Sequence, residues 1–412
     1  MDMKPNPSRI LNNIGHAVQQ VRSIVPLLPV IGMVFAAFMV IGLAMPILPL
    51  HVHQGLGFGT VVVGMVAGSQ FTASLISRFW AGRHADQHGP RHTVVIGLLL
   101  AFLAGVLYLV SLHCGGAPAR SVAILLLGRG VLGGAESFIV TGALTWGLAL
   151  MGAENTGMVM AWVGTALYAA FAVGAPVGTS LYGAHGFTAI ALATGLIPLG
   201  TLALVSLGPA VPRPSRVHIP ISRVAGAVWE PGLGLALSGV GFGAITTFMT
   251  LLYVERGWSP AWLAFTALSV AFILGRVVLG HLPDRIGGAR IALICILVEA
   301  AGQAMIWLAP WSAVALAGSA LTGLGYSLVY PGFGVEAIRR APPECRGLAM
   351  GAYTAFLDLS LGLASPSLGW IAGRAGLGAV YLVSTLVVLS SVTIALRLLG
   401  WRKGGEPLLD QA

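Results

Sequence analysis

Arg129 and Glu136 stand seven residues apart inside an apolar run, ILLLGRGVLGGAESFIV. Seven residues are nearly two helical turns, so the two side chains share one helix face about 10 Å apart. Asp358 interrupts a second run, AYTAFLDLSLGLA. A charge at the centre of a bilayer costs about 2.5–3.5 kcal/mol on insertion scales, and such groups usually face a cavity. A carboxyl group there can take up a proton in one conformation and release it in another, with a nearby cation biasing the release. The chemistry implied is proton binding and release, with Arg129, Glu136 and Asp358 lining a cavity. A competing account stays open for each. Arg129 and Glu136 would also serve as a buried salt bridge or hydrogen-bonded network. Asp358 would also serve by bonding backbone in a broken helix. Glu299 is central in a third apolar run, either facing inward or protonated against a neighbour. Glu336 precedes Arg339 and Arg340 at the spacing of a surface ion pair.

These groups need elements to hold them, and composition says where those elements lie. Hydrophobic residues make up 57% of the 412 residues and charged residues 8%. A water-soluble domain carries about 25% charged residues, so most of this chain's exterior faces lipid. A spanning helix needs roughly 20 apolar residues to cross about 30 Å of hydrocarbon. Twelve spans are expected, near residues 27–50, 59–82, 93–112, 121–147, 157–183, 187–208, 229–254, 260–282, 289–308, 311–337, 347–373 and 377–400. Transmembrane strands alternate apolar and polar residues, whereas these runs are apolar all round. The N-terminal 26 residues are polar and lack a short apolar core with a small-residue cleavage site, unlike a signal peptide.

Arg and Lys are retained on the cytoplasmic side. With a cytoplasmic N-terminus, the inner segments collect most of the basic residues, Arg78 and Arg276 counted among them, and the outer loops hold Arg120, Arg256 and Arg374. The net charge of +9 is therefore topological and does not point to nucleic acid. Cys114, Cys295 and Cys345 lie apart, giving neither a disulfide framework nor a metal pattern. GxxxxGK[ST], H-E-x-x-H and G-x-S-x-G are absent, so neither ATP-driven transport nor an enzyme is indicated, and no cofactor or metal is expected.

The sequence repeats. RFWAGRHADQHG at 78–89 and RVVLGHLPDRIG at 276–287 both fit R-x-x-x-G-x-x-x-D-x-x-G, at a shift of 198 residues. GRGVLGGAES matches GSALTGLGYS, ENTGMVM matches ECRGLAM, and FAVGAPVG matches the stretch around Pro366, all at a shift of 190 residues. Spans 1–6 and 7–12 are two copies of one unit, residues 27–208 and 229–400. A proline- and arginine-bearing linker lies at 209–228, and polar tails at 1–26 and 401–412. The expected fold is an all-α membrane protein of twelve transmembrane helices in two six-helix pseudo-repeats. Paired halves of this kind rock around a midplane site. Gly174, Pro176, Gly178 and Pro366 fall at equivalent places in spans 5 and 11 and serve either as hinges or in close helix packing. Span 1 carries Pro46 and Pro49. Tyr326, Tyr330 and Phe333 of span 10 are candidates to line an amphipathic substrate's path.

Over nearly its whole length the chain resembles the major facilitator superfamily, whose loop between spans 2 and 3 reads G-x-x-x-D-[RK]-x-G-[RK]-[RK]. Gly82, Asp86, Gly89 and Arg91 match it, with departures at Gln87 and Pro90. Gly280, Asp284, Arg285 and Gly287 match it again, with Arg290 one place late. LTGALTWGL, PGLGLALSGVGF, GYSLVYPGFGVEAIRR and AYTAFLDLSLG further resemble the bacterial YhhS/YfcJ-type subgroup, labelled arabinose-efflux-permease-like, a label that does not identify arabinose. The resemblance implies that the loops gate the cytoplasmic side. Asp86 would meet the N-terminal end of span 11, and Asp284 that of span 5, where the helix dipole favours an anion. His84, His88 and His92 are read as solvated. The function implied is proton-driven export of small organic molecules by alternating access, from a monomer in the bacterial inner membrane with both termini cytoplasmic. Proton-coupled import of a polar metabolite is the alternative, and a non-transporting receptor or scaffold a more distant one.

Overall fold

The computed structural model describes residues 25–114, 116–152, 155–207, 211, 222–342 and 345–404. The tail before residue 25, nearly all of 208–221 with the linker prolines, and the tail after residue 404 lie outside the described residues. Among those described, twelve helices are long and apolar enough to cross a membrane. They are α1 (Val25–Gly55), α2 (Thr60–His88), α3 (Pro90–His113), α4 (Pro118–Met151), α5 (Thr156–His185), α6 (Phe187–Leu207), α7 (Ser222–Glu255), α8 (Trp262–Leu279), α9 (Gly288–Trp307), α10 (Ser312–Arg340), α11 (Arg346–Ala375) and α12 (Leu377–Gly404). A short helix, Leu282–Ile286, joins α8 to α9. The α7 helix begins at Ser222, inside the segment read as linker.

Packing repeats with the sequence. α1 packs on α5 as α7 packs on α11, α2 on α4 as α8 on α10, and α3 on α6 as α9 on α12. Glycine sets the closest approaches. A Cβ on Gly133 of α4 would overlap the backbone of Gln70 in α2, and one on Gly323 of α10 would overlap that of Leu268 in α8. Both contacts obey the two repeat shifts. Small residues thus let neighbouring backbones come close where lipid gives no hydrophobic drive for helix pairing.

The stretch GRHADQHGPRH is not a loop. α2 continues through it to His88, and α3 starts at Pro90. Nothing before Gly89 breaks a helix, so polar residues 82–88 extend α2 as a stalk. Gly89, at φ 90°, makes the turn alone, and its counterpart Gly287 sits at φ 97°. Only glycine adopts such angles without strain, which accounts for the last glycine of the repeated pattern. His84 is half-buried and stacks on His88, ring centroids 4.3 Å apart, with the Phe138 ring 6.0 Å away and tilted. The reading of His84 as solvated is therefore corrected.

Prolines act unequally. α1 breaks at Met45–Ile47 and ends in a π-helical turn, His51–Gly55, where Pro46 and Pro49 remove backbone donors. α5 and α11 run unbroken through Pro176 and Pro366. A Cβ on Gly174 would come within 2.7 Å of Gly42 of α1, and Gly178 abuts Leu43. Pro366 lies against Gly64 and Gly68 of α2.

Candidate functional site

A cavity of about 220 Å³ lies between the two halves, walled by α1, α2, α4, α5, α7, α8, α10 and α11. No residue of α3, α6, α9 or α12 lines it. Gln70, Arg78, Arg129, Glu136, Tyr168, Arg276, Tyr326, Tyr330 and Asp358 supply its polar wall.

Arg129, Glu136 and Asp358, singled out from the sequence, all line this space. The partners differ from those expected. Glu136 accepts a hydrogen bond from Gln70 Nε2 at 2.6 Å. The tight α2–α4 crossing at Gly133 brings Gln70 within reach, one turn from Glu136. Among the described residues Arg129 makes no ion pair. It is buried, and its Nε has no hydrogen-bond partner. Asp358 bonds no broken backbone. Arg78 holds it through both Nε, at 2.9 Å, and Nη2, while Ser74 Oγ lies 3.5 Å away. This pair joins α2 of the first half to α11 of the second.

The sequence reads Arg78 and Arg276 as cytoplasmic anchors; in the structure both line the cavity. Each stands four residues before the first glycine of the repeated pattern, which places it one turn deeper than the helix end. That repeated Arg was the available signal. Gln70 left no such signal, because Leu268 fills its place in the second repeat. Tyr326 and Tyr330 line the cavity as expected, whereas Phe333 is fully buried against Gly234, away from it.

Glu299 does not reach the cavity. It is fully buried on α9 and accepts a hydrogen bond from Ser238 of α7. Glu336 has Arg339 as an i,i+3 partner, as expected, but its carboxyl does not lie at the surface. It is 2% exposed and accepts the backbone N–H of Ala289, at 3.2 Å, in the first turn of α9. An acid satisfies the free donors there and suits the helix dipole. Arg339 approaches only to 4.0 Å, and Arg340 pairs with Glu230 of α7 at 2.7 Å.

The halves are pinned at the end away from the repeated motifs. Thr60 donates to the Gly369 carbonyl at 2.7 Å, and Thr266 of α8 to that of Ala172 in α5 at 2.9 Å. Gly64 and Gly68 press on α11, and Tyr168 stacks on Phe272 with centroids 3.6 Å apart. At the motif end, a Cβ on Gly82, Gly157 or Gly351 would meet open space, and Asp86 is exposed. The side chain of Asp284 lies outside the described residues.

Comparison with known proteins fits this arrangement. The profile described as Major Facilitator Superfamily matches residues 30–365 and 231–409. An uncharacterized MFS-type transporter of Salmonella typhimurium is 40% identical over 378 residues, covering 92% of this chain and 97% of its own length. The uncharacterized MFS-type transporter YhhS of Escherichia coli K12 is likewise 40% identical over 378 residues, covering 90% and 91%. The solved structure of a D-xylose-proton symporter shares the fold, with a TM-score of 0.72 at 16% identity, over 92% of this chain and 97% of that one. The sequence relatives are named as MFS-type transporters, a class of transport proteins rather than enzymes. On sequence and fold together, the chain belongs to the major facilitator superfamily.

Proposed function

We propose that the protein is a proton-driven exporter of small organic molecules that works by alternating access in a bacterial inner membrane. One observation carries the reading. A cavity between two repeats holds a carboxyl, Glu136, hydrogen-bonded to an amide, next to an Arg78–Asp358 pair that spans the repeats. Such a cavity exchanges protons and substrate with one side at a time.

The density of basic residues supports a cytoplasmic motif end; with the pinned end then outward, we read the conformation as inward-facing. Substrate enters from the cytoplasm. When the halves rock, the cavity meets the outside, substrate leaves and a proton binds. Glu136 would take that proton, and the Arg78–Asp358 pair beside it in the same cavity would bias its later release. The proton is released inward on return. Asp86 and Asp284 would close the cytoplasmic side against α11 and α5.

Proteoliposomes with and without an imposed pH gradient test the scheme. Glu136→Gln is expected to lose gradient-driven transport while passive exchange of substrate continues, and Asp358→Asn to be partly defective. A Glu136→Gln protein that follows the gradient like wild type makes Glu136 structural. Asp86→Asn with Asp284→Asn should leave the protein folded and inserted but slow transport.

A further inference from the structure

Arg78 and Arg276 hold the same place in the two repeats, at the 198-residue shift, and Asp358 and Tyr168 do so at the 190-residue shift. The fold therefore builds one crossing twice, α2 with α11 and α8 with α5. At the first crossing an arginine meets a carboxylate. At the second the carboxylate's place is taken by a phenol ring, which stacks on Phe272. Among the described residues, Arg276 bonds the Ser327 carbonyl at 3.5 Å, with Tyr168, Tyr330 and Tyr353 nearby, and no carboxylate lies within ion-pair distance of it.

Arg129 faces the same space without an ion pair among the described residues. The cavity wall thus holds three guanidinium groups, Arg78, Arg129 and Arg276, against two carboxyl groups, Glu136 and Asp358. A buried cation without a counter-charge is costly, and a guanidinium fork suits a carboxylate or related oxyanion. One turn from Arg276 lies Phe272, part of a ring cluster with Tyr168, Phe242 and Tyr326. Phe242 and Tyr326 stack at 5.5 Å, and Tyr168 meets Phe242 edge-on at 6.0 Å.

We propose that the cavity takes an amphipathic organic anion, its oxyanion paired with Arg276 and its flat apolar body against the Tyr168–Phe272–Phe242–Tyr326 cluster. A cationic substrate would add to the excess positive charge, and a neutral one would leave it unpaired. The proposal rests on the cavity being the transport site but needs no proton gradient.

The test is thermal unfolding of purified protein in detergent with three matched probes: 2-naphthoate, 2-naphthylmethanol and 2-naphthylmethylammonium. Naphthoate alone should raise the unfolding midpoint. Arg276→Gln should weaken that response at least tenfold, and Arg276→Lys, which keeps the charge but not the fork, should weaken it less. Tyr168→Asp rebuilds the first crossing at the second. It should fold, elute as wild type and lose naphthoate binding, which keeps the test decisive if Arg276→Gln fails to fold. Equal stabilisation by the alcohol or the ammonium, stabilisation by none of the three, or wild-type naphthoate binding in Tyr168→Asp overturns the proposal. Because no gradient is present, loss of pH-driven transport with intact naphthoate binding counts against proton coupling alone.

Discussion

Arg78 and Asp358 carry a testable energetic consequence. Removing one partner of a buried ion pair costs about 3–5 kcal/mol, because the other charge is left uncompensated. Arg78 is partly open to the cavity, so the lower end of that range applies. Asp358→Asn alone should lower the unfolding midpoint in detergent clearly, and Arg78→Gln combined with Asp358→Asn should recover most of the loss. An additive double mutant would mean that the two charges are not coupled. The acids of this site were legible because an acid in an apolar run stands out. Their partners were not, since Gln70 looks like any polar residue and Arg78 looks like an anchor at a helix end. Only the fold shows that α2 brings both residues to the wall that α4 and α11 share.

The helix crossings make their own prediction. Gly133→Ala forces a Cβ into the Gln70 backbone, and Gly323→Ala does the same at Leu268. Overpacking of this kind costs about 1–3 kcal/mol, so both variants should show less monodisperse protein on size exclusion. Gly82→Ala, which meets open space, should match wild type there. At this scale the sequence was a good guide. Apolar runs of spanning length located all twelve spans, because lipid demands a long apolar surface and an internally bonded backbone. It misleads at residues 83–88, whose polarity reads as a loop although no residue before Gly89 ends a helix. It also left open whether the glycines of α5 are hinges or contacts, since both uses select small residues.

Across the whole molecule, the pinned and spread ends predict state-dependent cross-linking. In a background free of native cysteines, Thr60→Cys with Gly369→Cys should cross-link readily in the conformation seen here and block transport until reduced. Gly82→Cys with Gly351→Cys should cross-link only after the halves rock the other way. Equal yields under all conditions would argue against two alternating states. Rocking also bears on the single-residue turn at Gly89. A connection one residue long leaves little slack, so in the proposed rocking α2 and α3 would move together at this end. If it gates the passage as proposed, the stretch would act as the tip of a lever rather than a flap, moving with the helix it extends. Backbone amides of residues 83–88 should accordingly exchange with deuterium as slowly as a buried helix does, even though several of their side chains face water.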